Sequence, residues 1–177
     1  NKTNLDVKIG VQHDTIQTSL ASIIPEKLCL FDLFLNECNR KENISPKWIN
    51  HNSAYPIISK LKTEELDFGI VGDYAISHLA NQETNSAEDI VLVSFVSINP
   101  EGGGSNLILP RDSNVKSLDE FSKGSTIAVP FLSTAYGSLL YNLKSQNLRK
   151  EVTLKDYSIN KINSIKETNV DAFAFFT

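Results

Sequence analysis

Methionine is missing from this chain altogether, the first position included, and tryptophan occurs once, cysteine twice and histidine three times. A chain that starts at Asn1 without methionine reads as a processed or trimmed product, with any signal peptide outside this sequence. The two cysteines, Cys29 and Cys38, are too far apart for a CxxC metal or redox pair, which leaves two half-buried thiols on or near one helix. No apolar run approaches the roughly 18 to 20 residues of a membrane helix; the longest apolar-rich segment, DIVLVSFVSI, reads as a strand in a soluble protein. Basic charge is scarce as well. Lys and Arg number 17 against 21 Asp and Glu, for a formal net charge of -4, and only Arg40-Lys41 and Arg149-Lys150 are adjacent basic pairs. A nucleic-acid partner is excluded, because phosphate-backbone binding rests on clustered cations.

What is present is an ordinary globular composition: 177 residues, 41% hydrophobic and 21% charged, enough for one domain or two small ones. Asp6 to Gln12 alternates as a first strand. Thr15 to Leu35 carries a helical apolar stripe that Pro25 is expected to break into two pieces, and Asn36 to Pro46 reads as polar turns. KWIN is a short strand, HNSAYP a loop, IISKLKTEE a helix, LDFGIVG a second buried strand and DYAISHLANQ a helix. Glu83 to Glu88 reads as surface loop, IVLVSFVSI as a long strand, and NPEGGGS as a crossover. NLILP, STIAVP, EVTLKDYS and VDAFAFF are further strands. Among them lie a short helix capped by Ser117 with Glu120 in capping-box spacing, a helix from Ser133 to about Leu148, and a helix over NKINSIKET. Strands alternating with helices give an α/β class with a largely parallel sheet.

In a parallel sheet the loops after the strands lie together at the carboxyl ends, where open α/β folds bind ligands. Four such loops stand out: His13-Asp14-Thr15, His51 to Tyr55, Gly72-Asp73-Tyr74, and Ser133 to Tyr136. They offer hydroxyls, amides, ring faces and helix starts, but no lysine or arginine, which suits a small anion or zwitterion held by neutral donors. Ser133 or Thr134 can equally serve as a plain helix cap, and both roles use the same N-H groups. Catalytic readings find less support. No HExxH, GxSxG or GxxxxGK[ST] pattern exists, and the adjacent His13 and Asp14 cannot both point the same way from an extended backbone, so no metal site, cofactor or catalytic residue is assigned. Asp67 and Asp171 precede apolar strands and read as turn ends; the phenylalanines of FAFF read as core, and Tyr55, Tyr74 and Tyr136 as walls of a site.

Taken in order, VKIGVQ, HNSAYPIISKLKTEELDFGIVGDYA, SLDEF followed by STIAVPFLSTAYGSLL, and VDAFAFF resemble the periplasmic binding proteins of the nitrate, sulfonate and taurine ABC transporter group, the type 2 solute-binding fold. The third piece stands where that group has "SLxDLxGKxIAVPxxSxxHxxLL". The resemblance covers nearly the whole chain. It implies a two-lobed α/β fold, with residues 1–98 the first lobe and 99–177 the second. The strands that return to the first lobe would then lie outside this sequence, and the chain would stop within or just after the second lobe. It also implies a ligand cleft between lobes that closes by a hinge. Carried over by position, the ligand-facing candidates are Gln12, His13 and Asp14; Ser53, Ala54 and Tyr55; Gly72, Asp73 and Tyr74; Gly104 and Ser105; and Ser133, Thr134 and Tyr136. Three positions depart from the pattern: Tyr136 replaces a histidine, Ala75 a proline, and Phe173 stands in an aromatic run without tryptophan.

The function so implied is that of a non-enzymatic, extracytoplasmic solute-binding protein of an ABC importer, periplasmic or anchored outside the cell. It would act as a monomer that docks a membrane permease and captures a small sulfonate such as taurine or an alkanesulfonate. Asp14 favours a ligand carrying an ammonium group, hence taurine over nitrate. Two alternatives share the fold: a thiamin-pyrimidine binding or synthase-like protein, and the ligand-sensing domain of a transcription regulator.

Overall fold

The computed structural model describes residues 3–14, 16–38, 42–81, 90–96, 104–121, 123–157 and 169–176. The chain divides into two compact units, Asn1–Ile98 and Asn99–Thr177, each with its own sheet.

In the first unit, β1 (Thr3–Val11) is the middle strand, flanked by β2 (Glu42–Asn50) and β3 (Phe68–Gly69), both parallel to it. Its alternating Val7, Ile9 and Val11 enter a core shared with Ile44, against which Phe31, Leu35 and Trp48 pack. The Phe31 ring meets the Trp48 ring edge-on at 5.6 Å, tying helix α2 (Leu30–Cys38) to β2. The other face of β1 presents Gly10, which lies beside Gly69 in the β1–β3 register. Helix α3 (Ala54–Lys62) rests there. A Cβ on Gly69 would fall 2.5 Å from Ile57 Cγ2 and 2.9 Å from Leu61 Cδ1, and one on Gly10 would fall 2.6 Å from Leu66 Cδ1. Glycine at both positions is what permits helix and strand backbones to approach this closely.

Several expectations are corrected in this unit. Helix α1 (Ile16–Lys27) runs through Pro25, and the break comes at Leu28-Cys29, where Cys29 takes a left-handed φ of 50°. A proline removes its own N-H and crowds the turn before it, while the amides after it stay free to bond, as Leu28 N-H does to Ile24 O at 3.0 Å. Cys29 is exposed in that turn, not half-buried on a helix. The turns expected over residues 36–46 are partly helix α2 and partly strand β2, whose nine residues include Pro46; β2 is an edge strand of the described sheet, the kind of strand that tolerates a proline. The buried strand expected at LDFGIVG is only Phe68–Gly69, and Phe68 is exposed. Helix α4 (Asp73–Ala80) follows as expected. IVLVSFVSI was expected as a long strand, yet residues 90–96 form none, and Val91, Val93, Phe95 and Val96 are exposed. β propensity expresses packing against neighbouring strands, and no described strand pairs with this run.

The second unit orders its strands β4-β7-β5-β6. Here β5 (Thr126–Val129) lies parallel to β6 (Thr153–Asp156) and β7 (Ala172–Phe176), while β4 (Ser105–Ile108) runs antiparallel to β7. Helix α5 (Thr134–Ser145) lays Ala135, Leu139 and Leu143 on Ile127, Val129, Ala172 and Ala174. The segment at Leu118–Glu120 is a single 3-10 turn. Glu120 accepts from the Lys116 amide at 2.7 Å, one residue before the Ser117 N-cap, and the Ser117 hydroxyl makes no cap bond, so the expected capping box does not form. The loop at 83–88, most of the glycine-rich crossover and the NKINSIKET helix lie outside the described residues. Among the described residues no helix is long and apolar enough to cross a membrane.

Gly69→Ala is expected to destabilise the first unit by about 1–3 kcal/mol, because Ile57 is β-branched and fully buried and cannot yield to the new methyl. Urea unfolding read by the Trp48 fluorescence checks this.

Candidate functional site

Because β1, β2 and β3 are parallel and adjacent, the segments that follow them emerge at one end of the first sheet. The ladder continues past the strands there. His51 N-H donates to Val11 O at 2.8 Å, and Ile70 N-H donates to Gly10 O at 2.9 Å. The three loops expected to gather in this unit are therefore brought together, with Thr15 outside the described residues.

Their side chains do different things. Gln12 is buried and its Nε2 donates to Ile70 O at 3.3 Å, so it braces the β1 and β3 ends. The His13 amide donates to Asn50 Oδ1 at 2.9 Å, and its ring Nε2 lies 3.1 Å from Glu26 Oε2 of α1. Asp14 is exposed in the same turn. Ser53 stands at the N-cap of α3 with extended φ and ψ, yet its hydroxyl makes no cap bond. Ala54 is buried and Tyr55 is 66% exposed. At the start of α4, Gly72 takes the N-cap position, and the Asp73 carboxylate accepts the Tyr74 amide at 2.7 Å, placing a negative charge on the N-H groups that an anion would use. The Tyr74 ring turns along the helix to stack on His78 at 6.3 Å.

Of α3 and α4, whose N-caps are both described, α3 is the one whose start meets neither a capping side chain nor a carboxylate; its third residue is Pro56, so the N-H groups it offers are those of Ala54 and Tyr55. Immediately before it lies His51, whose Nε2 is out of solvent without a hydrogen-bond partner among the described residues. Burial, and to a smaller extent the Lys60 ammonium, push the His51 imidazole below its ordinary value of 6.5. Among the described residues no group of three or more His, Cys, Asp and Glu is placed to hold a metal ion.

In the second unit the loop after β5 is a tight turn, with Ser133 N-H donating to Pro130 O at 3.2 Å and the buried Leu132 between them at φ 61°. A left-handed conformation in a residue with a Cβ costs about 1–2 kcal/mol, and the burial of Leu132 offsets it. Asp156, at the end of β6, fastens the turn by accepting the Phe131 amide at 2.9 Å. Ser133 Oγ accepts the Tyr136 amide at 3.1 Å, so Ser133 is a helix cap. Thr134 opens the helix, and the Tyr136 ring is half-buried against Phe131 at 4.7 Å, at the margin of the core. Gly104 has φ 109°, open to glycine, and Ser105 Oγ donates to Ser138 Oγ at 3.1 Å. A groove of about 350 Å³ runs from these serines between β4 and α5, over Leu107, Phe121 and Leu139 to Gln146.

Four residues that position the candidates, Glu26, Asn50, Asp156 and Ser138, were not anticipated. A polar residue at the last position of a strand is a local signal that would have raised Asn50 and Asp156. Glu26 and Ser138 carry none, since they act on loops far away in sequence.

No family model matches the sequence, and no curated protein sequence matches it. Solved structures do. The alkanesulfonate-binding protein SsuA of Xanthomonas axonopodis pv. citri, solved with MOPS bound, superposes with a TM-score of 0.75 at 18% identity, over 99% of this chain and 56% of that one. The periplasmic aliphatic sulphonate-binding protein SsuA of Escherichia coli gives 0.60 at 17% identity over 97% of this chain and 54% of its own. The cysteine-binding protein of Campylobacter jejuni gives 0.51 at 17% identity over 96% and 62%. All three are named as binding proteins. The likeness establishes the fold, the α/β fold of two-lobed solute-binding proteins, and the chain spans a little over half the length of the sulfonate binders.

Ser133→Ala is expected to cost about 1 kcal/mol through the lost cap, read as a lower urea midpoint with an unchanged slope. For His51 the sign follows from the depressed imidazole. The unfolded chain takes up its proton at higher pH than the folded one, so this contribution is complete above 6.5 and is lost as pH falls below it. His51→Asn is therefore expected to lose less thermal stability than the parent between about pH 7.5 and about pH 5.5, measured as Tm against pH.

Proposed function

We propose that this chain belongs to an extracytoplasmic solute-binding protein of an ABC importer, and that its ligand is a small sulfonate, with taurine the preferred case. The observation that carries the reading is the start of α3. It is a helix N-terminus at the carboxyl end of a parallel strand, free of a capping side chain, with the Ser53 hydroxyl unused and the unpartnered His51 nitrogen directly before it. Such a terminus receives an anion through backbone N-H groups and needs no lysine or arginine. The likeness to two sulfonate-binding structures points the same way.

The exposed Asp14 carboxylate beside His13 favours a ligand that also carries an ammonium group. That suits taurine better than nitrate. It also supports a second reading, an amino acid, in keeping with the cysteine-binding neighbour. The chemistry is capture alone: fixed donors meet a preformed anion, with no nucleophile, acid or base assigned. A membrane permease is the macromolecular partner this role requires, and the protein acts as a monomer outside the cytoplasm.

Taurine or a short alkanesulfonate is expected to raise Tm by mass action, with about 2.7 kcal/mol of added stability at a hundred times Kd. A thermal-shift series with taurine, alkanesulfonates, nitrate, bicarbonate, cysteine and pyrimidines reads it; a shift with cysteine alone selects the amino-acid reading, and no shift with any sulfonate sinks the preferred one. Ser53→Ala should weaken sulfonate binding while leaving stability nearly unchanged, because its hydroxyl caps nothing.

A further inference from the structure

The groove between β4 and α5 joins an apolar floor to walls whose polar groups are almost all in use. Its floor is the margin of the second unit's core. Phe121 and Leu139 are buried there, while Leu107, Leu109, Val115 and Leu118 pack against them and stay half-exposed. Helix α5 sets Ser138, Asn142 and Gln146 along one wall at a spacing of four residues, a face about 12 Å long. Ser105 Oγ donates to Ser138 Oγ, Asn142 Nδ2 donates to Ser138 O at 2.8 Å, and the Ser117 hydroxyl bonds the Asp119 carboxylate. Two polar side chains of the lining are left without a partner among the described residues, the Gln146 amide and the Lys116 ammonium. Lys116 is the one charged residue in that lining: Glu120 accepts its backbone amide but does not line the groove.

This lining selects among ligands. A sugar or an extended peptide needs several free donors and acceptors along its length, and here the hydroxyls and the Asn142 amide are already paired. A wholly apolar molecule would leave the lysine without a counter-charge. We infer that the groove is a binding site for an amphiphilic anion, a straight apolar chain ending in a carboxylate, with the chain over Leu107, Phe121 and Leu139 and the anion at Lys116. Its volume of about 350 Å³ lies in the range of small-molecule sites. Burial of the chain supplies most of the affinity, since it covers apolar surface that the fold leaves half-exposed. The exposed lysine adds a smaller part that salt screens. The site lies wholly within the second unit and does not depend on what the α3 start receives.

Amide and methyl NMR of the whole chain, titrated with octanoate, tests the assignment. Saturable shifts are expected at the methyl groups of Leu107, Leu118 and Leu139. Lys116→Gln, at an exposed position, should weaken octanoate binding about fivefold and remove its salt dependence. Octanol has the same chain and no charge, so it should bind the parent and Lys116→Gln alike. Asn142→Trp brings an indole into the groove from an exposed helix position and should abolish the octanoate shifts while the amide spectrum stays that of the folded chain. Equal octanoate affinity and equal salt dependence in the parent and Lys116→Gln overturn the anionic ligand class. Shifts confined to first-unit amides such as those of His51, Ala54 and Tyr55, or shifts that persist in Asn142→Trp, overturn the placement in the groove. A spectrum that octanoate leaves unchanged overturns the proposal altogether.

Discussion

The geometry of the first unit depends on one close approach, that of α3 to the paired glycines Gly10 and Gly69. Ile57 occupies the space where two Cβ atoms would otherwise stand, and it is fully buried there. Bringing the helix down onto the strands has a consequence at its far end. The first turn of α3 leaves β2 directly at His51, beside the carboxyl end of β1, with no long connection to carry it away. The helix start and His51 therefore lie at the same end of the sheet as the His13 turn, which β1 and Asn50 of β2 hold there.

The two units solve the same problem, a strand running into a helix, in different ways. In the second unit the helix start is closed from within: Ser133 caps α5, Asp156 fastens the turn before it, and the Tyr136 ring folds back on Phe131. In the first unit α4 is closed by Asp73, and α3 is left without a cap. Orphan N-H groups at a helix terminus are normally satisfied by side chains, water or ligand. At α3 the third helical position is Pro56, which has no N-H, so the unused Ser53 hydroxyl follows from the local sequence and the Ala54 and Tyr55 amides are left at the helix start.

Much of the architecture was legible in the chain. Alternation in VKIGV, the β-branched run STIAV and the helical spacing that follows PFLSTAYG each produced the element they suggested, because local pattern and burial agree there. Legibility failed where the deciding partner was remote. IVLVSFVSI has every local mark of a strand but no ladder among the described strands. Glu42 to Pro46 looked like turns, yet five parallel pairings with β1 held them extended. In the candidate loops the residue types were legible, whereas the contacts their side chains make were not: Gln12 is a brace, Asp73 closes its own helix, and Ser133 is a cap.

By itself the sequence determined the α/β class, the run of strand-to-helix loops and the lack of cationic side chains in them, since these follow from periodicity and composition alone. Tertiary structure decided which histidine finds a carboxylate and which serines meet each other. Those outcomes depend on distances between residues such as His13 and Glu26, or Ser105 and Ser138, that no local pattern encodes. A hydroxyl or an imidazole carries the same chemistry in any loop; whether it is used up inside the fold or left for a ligand is settled only by what packing brings within about 3 Å of it.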